Sequence, residues 1–456
     1  MPTQGKADQA GRTDWRSPGT KHQRRVDLMV TIGSVLLIAS AAVWATMFTI
    51  RGLWGGVGME LWLVGTGIVA MVLGRRGQSQ KAGLLLLVTL LIMLCGICLV
   101  LDVPSAHIKR SSHHLLPALG ACAFLLLRGR HPILRHGMTS AFMAAFIFLD
   151  VSSFRLTDAY VLPDDIRAFN AWGNDLLAMA TLYMALVVIQ ADVTARNGLE
   201  GDLRNALIAR QLVLHYQPQV DDSGRVIGAE ALVRWQHPRH GLVSPGDFIP
   251  LAEETGLILP LGDWVLKEAC TQIAIWKRYP ALASLTVAVN VSAHQFREPD
   301  FVAQVLSIVE RSGIDPTRLK LELTETMLVN DLDDIIAKMK ALRARGLSFS
   351  MDDFGTGFSS LSSLKRLPLD QLKIDQAFVR DLLTNPNDVA IAKTVVSLGQ
   401  NLGLDVIAEG VETEGQRDFL LSIGCHRFQG YLFSRPLPLR AFEVHVTGLA
   451  DLPALR

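Results

Sequence analysis

Two patterns of hydrophobic and polar positions divide the chain near residue 200. Before that point the apolar residues come in long runs, six of which approach the ~20 residues that a helix needs to cross a bilayer. After it, short runs with β character alternate with segments of helical periodicity. The first pattern predicts an all-α transmembrane bundle, and the second predicts a globular α/β domain.

The predicted membrane region covers residues 26–193. Its six spans are expected at 27–50, 54–74, 83–101, 112–128, 137–154 and 175–193. The first run is long and is followed by further spans, which argues against a cleaved signal peptide. A hydrophobic fraction of 50% supports a partner in the lipid bilayer. The polar segment 1–25 is expected to be a disordered cytoplasmic tail.

The positive charges give this region an orientation. Lysine and arginine are concentrated in the segments 1–25, 75–81 and 128–135, whereas the other connecting loops carry fewer of them. The positive-inside rule then places both termini, and with them the C-terminal half, in the cytoplasm. A net charge of only +1 gives no reason to expect a DNA or RNA polymer as partner.

The C-terminal half has the length and the alternation of a barrel. A helix at 194–210 is expected to link the last span to this domain, and 446–456 is expected to be a tail. Residues 200–445 are close to the ~250 residues of a TIM-like (β/α)₈ barrel. Eight strands are predicted at 212–219, 226–235, 285–292, 319–325, 347–353, 371–376, 405–411 and 427–434.

Polar residues lie inside or at the end of most of these apolar strands. They are Glu230, Asn290, Glu322, Asp352, Asp353, Lys373 and Glu409. The carboxyl ends of barrel strands converge on one face, so these side chains are expected to meet there. Buried carboxylates without partners would be costly, and a shared divalent cation removes that cost. Oxygen ligands without Cys or His favour Mg²⁺ or Mn²⁺, whose charge would also separate the adjacent Asp352 and Asp353.

Eight motifs in order resemble the EAL domain family over about 200–445. They are YQPQV, EALVRW (residues 230–235), VNVS, LELTE, DDFGTGFSSL, LKID, AEGVE and QGYLFSRP. The resemblance implies a barrel that hydrolyses the bacterial second messenger cyclic di-GMP to linear pGpG with two divalent cations. It also implies a homodimer formed through this domain. No GGDEF-type motif is present, so synthesis of cyclic di-GMP is not expected.

The resemblance assigns roles to individual positions. Glu230, Asn290, Glu322 and Asp352 would bind one metal, and the bridging Asp352 with Asp353 and Glu409 would bind the second. Lys373 would hydrogen-bond the attacking water, Glu412 would orient the water and the metal ligands, and Glu325 would anchor the loop 354–360. Gln217, Arg234 and Gln429 would contact the substrate.

Alternatives remain open at this stage. Taken singly, the Asp352–Asp353 pair reads as a turn or helix cap, and Lys373, Glu325 and Glu412 read as solvated charges. The domain is alternatively a receptor that binds cyclic di-GMP without cleaving it. A transporter is a further alternative, since Glu60 and Asp150 lie within predicted spans. The resemblance favours an enzyme anchored in the bacterial inner membrane, with the membrane region as anchor or sensor.

Overall fold

The computed structural model describes residues 18–105, 108–127, 131–157, 160–325, 327, 331–354 and 361–448. The chain forms two compact units, Met1–Gly198 and Leu199–Arg456, close to the predicted change of pattern. Most of the expected N-terminal tail and of the C-terminal tail lies outside the described residues. The same is true of positions 355–360 in the loop that Glu325 was expected to anchor.

The first unit is helical. Among the described residues, five helices are long and apolar enough to cross a bilayer, namely α1, α2, α3, α5 and α6. The last of them is continuous with most of the predicted linker at 194–210. The helices are α1 (Pro18–Ile50), α2 (Trp54–Arg75), α3 (Ser79–Val100), α4 (Leu115–Leu126), α5 (Pro132–Val151) and α6 (Asp164–Ile208).

The fourth predicted span, 112–128, is shorter than the others. A 3-10 turn at Ser112–His114 precedes α4, which has 12 residues. At ~1.5 Å per residue such a helix covers about 18 Å, less than the ~30 Å thickness of the hydrocarbon core. Five of the six expected spans therefore have suitable helices, and the number of spans stays a prediction.

A buried ionic cluster joins the segments after α3 to the start of α6. Asp102 Oδ2 accepts hydrogen bonds of 2.8 Å from the backbone N–H groups of Ser111 and Ser112. Its Oδ1 lies 3.5 Å from Arg167 Nε, and the Arg167 side chain is 1% exposed. Arg110 donates to the carbonyls of Leu149 (2.6 Å), Ser152 (3.2 Å) and Phe154 (3.0 Å) at the end of α5. Side-chain groups thus satisfy backbone atoms that the helix ends leave unpaired.

The second unit is built on a closed barrel of eight strands, as predicted. Strands β3 and β10 extend the sheet beyond the barrel, and the pairing of β1 with both β2 and β9 closes it. The strands are β1 (Leu212–Asp221), β2 (Val226–His237), β3 (Gly241–Val243), β4 (Thr286–Asn290), β5 (Leu319–Thr324), β6 (Ser348–Phe354), β7 (Gln371–Ile374), β8 (Asp405–Ala408), β9 (Arg427–Phe428) and β10 (Leu437–Pro438).

One barrel strand departs from the expected parallel arrangement. Strand β1 runs antiparallel to both of its barrel neighbours, whereas the other barrel strands pair in parallel. No helix separates β1 from β2. Asp221 accepts hydrogen bonds from the backbone of Ser223 and Arg225, and Gly224 has φ +80°. A turn this tight joins only antiparallel strands.

Helices cover the outside of the barrel and bury its apolar side chains. Leu321 and Phe349 on the strands and Trp276 on α8 belong to one hydrophobic core. The helices are α7 (Pro245–Thr255), α8 (Ile258–Trp276), α9 (Ala293–Arg297), α10 (Phe301–Ser312), α11 (Leu332–Arg343), α12 (Leu361–Arg366), α13 (Gln376–Arg380), α14 (Pro386–Leu402), α15 (Glu414–Ser422) and α16 (Leu439–Thr447).

On several strands, polar side chains alternate with this outer core and lie in the barrel interior. On β5, Lys320 and Glu322 alternate with leucines, and on β7 Gln371 and Lys373 have the same spacing. All four are buried. Burial lowers the pKa of Lys320, while the neighbouring carboxylate of Glu322 opposes that shift. The interior therefore carries charge at two levels along the strands.

Candidate active site

The ammonium group of Lys373 lies among four carboxylates at the carboxyl ends of the strands. Its Nζ is 2.6 Å from Glu322 Oε2, 3.3 Å from Asp352 Oδ1 and 3.9 Å from Glu230 Oε2. It also contacts Glu409 Oε1. The structure therefore brings together five of the predicted site residues. One positive charge faces four acidic groups, which leaves the cluster strongly acidic.

Strand register explains how residues distant in sequence meet. Asn290 on β4 pairs with Glu322 on β5, and Thr324 pairs with Asp352 on β6. On the other side of β6 the register shifts between Met351 and Phe354, which pair with Leu372 and Ile374.

This shift is a β-bulge. It explains how two adjacent aspartates can both lie at the end of one strand. Asp352 and Asp353 together lie opposite the single residue Lys373. Asp353 has φ +55°, a left-handed conformation that Asp tolerates better than most residues. Its backbone N–H donates to Asp352 Oδ1 at 2.9 Å. The bulge thus places both carboxylates at the rim instead of on opposite faces of the sheet.

Amide side chains hold Glu230 in place. Asn290 Nδ2 donates to Glu230 Oε1 at 2.6 Å, and Gln429 Nε2 donates to Oε2 at 2.5 Å. Gln429 Nε2 also lies 3.2 Å from Gln217 Oε1. Two predicted substrate positions, Gln217 and Gln429, therefore belong to the same hydrogen-bonded group as a predicted metal ligand.

The acidity of these carboxylates differs because their surroundings differ. Burial raises the pKa of Glu322 to about 8, although Lys373 opposes the shift. Burial likewise raises the pKa of Glu409 well above its usual range. For Glu230 burial also favours the neutral form, but Lys373 and the amides of Gln429 and Asn290 outweigh it, so its pKa is lowered. Without a bound cation, Glu322 and Glu409 therefore hold protons to a higher pH, while Glu230 stays ionised.

A family model described as "EAL domain" matches residues 200–436, which is more than half of the chain. The chain belongs to the EAL domain family. The cluster around Lys373 lies within the matched residues, and its members occupy the motifs from which the family was suggested.

Individual relatives support the assignment. The EAL domain region is 49% identical over 238 residues to the bifunctional diguanylate cyclase/cyclic di-GMP phosphodiesterase MucR of Pseudomonas aeruginosa, covering 52% of this chain and 35% of MucR. It is 46% identical over 249 residues to the cyclic di-GMP phosphodiesterase NbdA of the same organism, covering 54% of this chain and 31% of NbdA. The chain thus spans about a third of the length of these curated relatives.

Solved structures share the barrel. A MucR phosphodiesterase in complex with c-di-GMP superposes with a TM-score of 0.52 at 48% identity, covering 54% of this chain and 99% of that one. The EAL enzyme Bd1971, with cAMP and cyclic di-GMP bound, has a TM-score of 0.53 at 30% identity over 62% of this chain and 75% of its own.

The donor set of this EAL domain fits a divalent cation in charge. Glu322 Oε1 is buried and has no hydrogen-bond partner among the described residues. Within those residues no three acidic, His or Cys side chains already stand in the geometry of a metal site. The ammonium group of Lys373 lies between the carboxylates instead. Cation binding would therefore require Lys373 to move toward one side of the cluster.

The remaining predicted residues are Glu325, Arg234 and Glu412. Glu325 is buried, and Arg234 is half-buried, with its Nη1 donating to the carbonyl of Val233 at 2.8 Å. Burial lowers the pKa of Arg234, and Glu230 opposes that shift. Glu412 is exposed, and its carboxylate forms no hydrogen bond or ion pair with a described residue. The roles given to these three residues stay predictions.

Two residues of the site were not singled out from the sequence. Gln219 donates to Gln429 Oε1 at 3.0 Å, and Asp375 accepts from Ala377 N at 2.6 Å at the start of α13. Burial raises the pKa of Asp353 to about 6, with further contributions from Asp352 and from Asp375. Both residues could have been identified from the sequence, because Gln219 lies two positions after Gln217 and Asp375 lies two positions after Lys373.

Metal-free protein is expected to lose stability as the pH rises from 6 to 8. Unfolded Glu322 ionises near its ordinary pKa of 4.5, whereas folded Glu322 keeps its proton up to about 8. The folded state therefore binds more protons in this interval, and its free energy of unfolding falls as protons are removed. Thermal unfolding in the presence of a chelator measures this. Glu322→Gln should flatten the dependence, and a melting temperature that rises toward pH 8 in the wild type contradicts it.

Proposed function

We propose that this protein hydrolyses cyclic di-GMP to linear pGpG at the carboxylate cluster. The observation that carries the proposal is the set of four carboxylates around Lys373 at one end of the EAL barrel. The similarity to MucR and NbdA supports this choice of substrate. An acidic cluster of this kind would repel a phosphodiester, so the reaction requires cations to offset the charge.

Two divalent cations, Mg²⁺ or Mn²⁺, complete the proposed site. Glu230, Asn290, Glu322 and Asp352 would hold one, and Asp352, Asp353 and Glu409 would hold the other. When bound, the pair supplies charge that favours deprotonation of water and offsets the charge of the phosphodiester. The buried Glu322 Oε1 supports this assignment because it has no other described partner.

The protein's own side chains supply orientation and proton control. Lys373 would hydrogen-bond the attacking water, since a buried ammonium group has donors and no acceptor. Glu412, on the segment after β8, would help orient that water. Gln217 and Gln429 would donate amide hydrogen bonds to the substrate, and Arg234 would offset the charge of a phosphate oxygen. Glu325 would anchor the loop 354–360.

Replacing Gly430 by alanine is expected to weaken substrate binding by displacing Gln429. A Cβ at this position would overlap the backbone N and O atoms of Val411. Because backbone cannot move aside cheaply, we expect a loss of about 1–3 kcal/mol in the free energy of unfolding. KM for cyclic di-GMP should rise more than kcat falls. Gly246→Ala is the control, because open space surrounds Gly246, and an unchanged KM in Gly430→Ala contradicts the expectation.

The five apolar helices support anchoring in the cytoplasmic membrane of a bacterium. The distribution of lysine and arginine supports a cytoplasmic EAL domain. A homodimer formed through that domain is part of the same proposal. Cross-linking in native membranes tests the homodimer. Protease protection in vesicles of known orientation tests the cytoplasmic position of the EAL domain.

The test of the activity uses the full chain in lipid nanodiscs. Cyclic di-GMP is incubated with Mg²⁺ or Mn²⁺, with and without chelator, and pGpG is quantified by chromatography. Metal-dependent pGpG that disappears in Glu322→Gln and persists in Glu268→Gln, a change at an exposed carboxylate, supports the hydrolase. If cyclic di-GMP binds but no pGpG forms under any metal condition, the hydrolase is rejected in favour of the receptor that binds without cleaving.

A further inference from the structure

A polar cavity lies near the amino-terminal ends of the barrel strands, away from Lys373 and its carboxylates. It occupies about 250 Å³, far more than the ~10–15 Å³ that one water molecule requires. Thr286, Lys320, Gln371 and Arg427 line it, and each lies at or near the first residue of its parallel strand. The carboxylate cluster lies further toward the carboxyl ends of these strands. Gln219 also lines the cavity, and its hydrogen bond to Gln429 connects the cavity with the cluster.

The buried positive charge of Lys320 is the main reason to expect a negatively charged ligand in this cavity. This residue is 8% exposed, and its Nζ donates to Gln371 Oε1 at 2.8 Å. Lys320 forms no ion pair with any residue that the structure describes. An ammonium group has three donors, so the neutral amide of Gln371 uses only one of them. Glu322 offsets part of this charge from two positions along β5. A buried cation that makes no ion pair is still costly, and an anion in the cavity would reduce that cost.

Two arginines at the same cavity supply further donors. Arg225 Nη2 lies 3.0 Å from Asp221 Oδ2, and Arg427 Nη1 lies 2.8 Å from Asp405 Oδ2. Each arginine thus has its own carboxylate, while each guanidinium group has five N–H donors and one ion pair uses only part of them. The excess positive charge of the cavity therefore comes from Lys320, and the arginines add planar donors at its mouth.

We propose that this cavity binds a phosphate group, with Lys320 as its buried counter-charge and Arg225 and Arg427 as further donors. Tetrahedral oxyanions with several acceptor oxygens suit a combination of one ammonium and two guanidinium groups. The group is either free inorganic phosphate or the phosphomonoester of a nucleotide. This site is distinct from the proposed hydrolytic site and does not depend on that activity.

The test measures binding to the full chain in detergent by calorimetry, with chelator present so that the carboxylate cluster holds no cation. Inorganic phosphate and GMP are titrated separately. Saturable binding of either is expected, and Lys320→Met should weaken it by about tenfold or more. Gln371→Glu should do the same, because it places a carboxylate beside Lys320. Lys340→Met, at an exposed lysine, should bind as the wild type does.

The titrations with inorganic phosphate and with GMP together test the proposal. Binding of inorganic phosphate assigns the site to the free anion, and binding of GMP alone assigns it to a phosphomonoester. The proposal is overturned if neither ligand binds saturably. It is also overturned if binding persists unchanged in a folded Gln371→Glu variant, which keeps the test valid should Lys320→Met fail to fold.

Discussion

Replacement of Lys373 by methionine is expected to lower the rate of cyclic di-GMP hydrolysis by about 10²–10³-fold, the usual cost of losing one charge-stabilising donor. Methionine keeps much of the side-chain volume and removes the charge. In the structure that charge is the one ammonium group within 4 Å of four described carboxylates. Its loss removes the proposed donor to the attacking water and leaves the carboxylates to repel one another.

The same variant has a second readout that does not depend on turnover. Without divalent cations, Lys373→Met should unfold at a lower temperature than the wild type, because it leaves buried carboxylates uncompensated. Adding Mg²⁺ or Mn²⁺ should then raise its melting temperature more than that of the wild type, since cation charge replaces the lost ammonium group. Lys267→Met, at an exposed lysine, is the control. Wild-type turnover in Lys373→Met, or an equal response to metal, would contradict this role.

Much of the barrel could be predicted because its signals are local. Short β-type runs, tight turns and helical periodicity placed the start of each of the eight strands within one residue of its observed position. The ends were less accurate, since the predicted strand 427–434 contains only the two-residue β9. The acidic residues at their ends could be predicted as one cluster because parallel strands bring their carboxyl ends together. The exception was β1, whose direction depends on the four-residue connection to β2 and not on its own composition.

The geometry inside the barrel could not be predicted in the same way. The bulge that places Asp352 and Asp353 opposite Lys373 depends on pairing with β7, which lies outside the local sequence. The position of the Lys373 ammonium group depends on the direction of a long flexible side chain. Lys320 was not singled out from the sequence, because only the closure of the barrel places it in the lining of a cavity.

The short α4 shows a related limit in the membrane region. Residues 112–128 are apolar enough to suggest a span, and composition alone does not fix where a helix begins. In the structure Asp102 accepts hydrogen bonds from the backbone of Ser111 and Ser112, and a 3-10 turn follows before α4 begins at Leu115. A contact with a residue on the preceding segment thus accompanies this local boundary.

Replacement of Asp102 by alanine is expected to destabilise the packing around the start of α6 by about 3–5 kcal/mol, because it leaves a buried arginine without its buried partner. Asp102 is 4% exposed, and the Arg167 side chain that it faces is 1% exposed. The change also removes the acceptor for two backbone N–H groups, those of Ser111 and Ser112.

Hydrogen exchange of the full chain in nanodiscs measures this loss where it occurs. Amides of the segment 108–114 should exchange about two to three and a half orders of magnitude faster in Asp102→Ala, since each ~1.4 kcal/mol corresponds to a factor of ten. Asp164→Ala is the matched control, because Asp164 also pairs with Arg167, at 3.0 Å, but has a side chain that is 61% exposed. An exposed pair contributes little, so its effect should stay below ~1 kcal/mol. Equal exchange in the two variants would show that burial of the Asp102–Arg167 pair is not what holds these segments together.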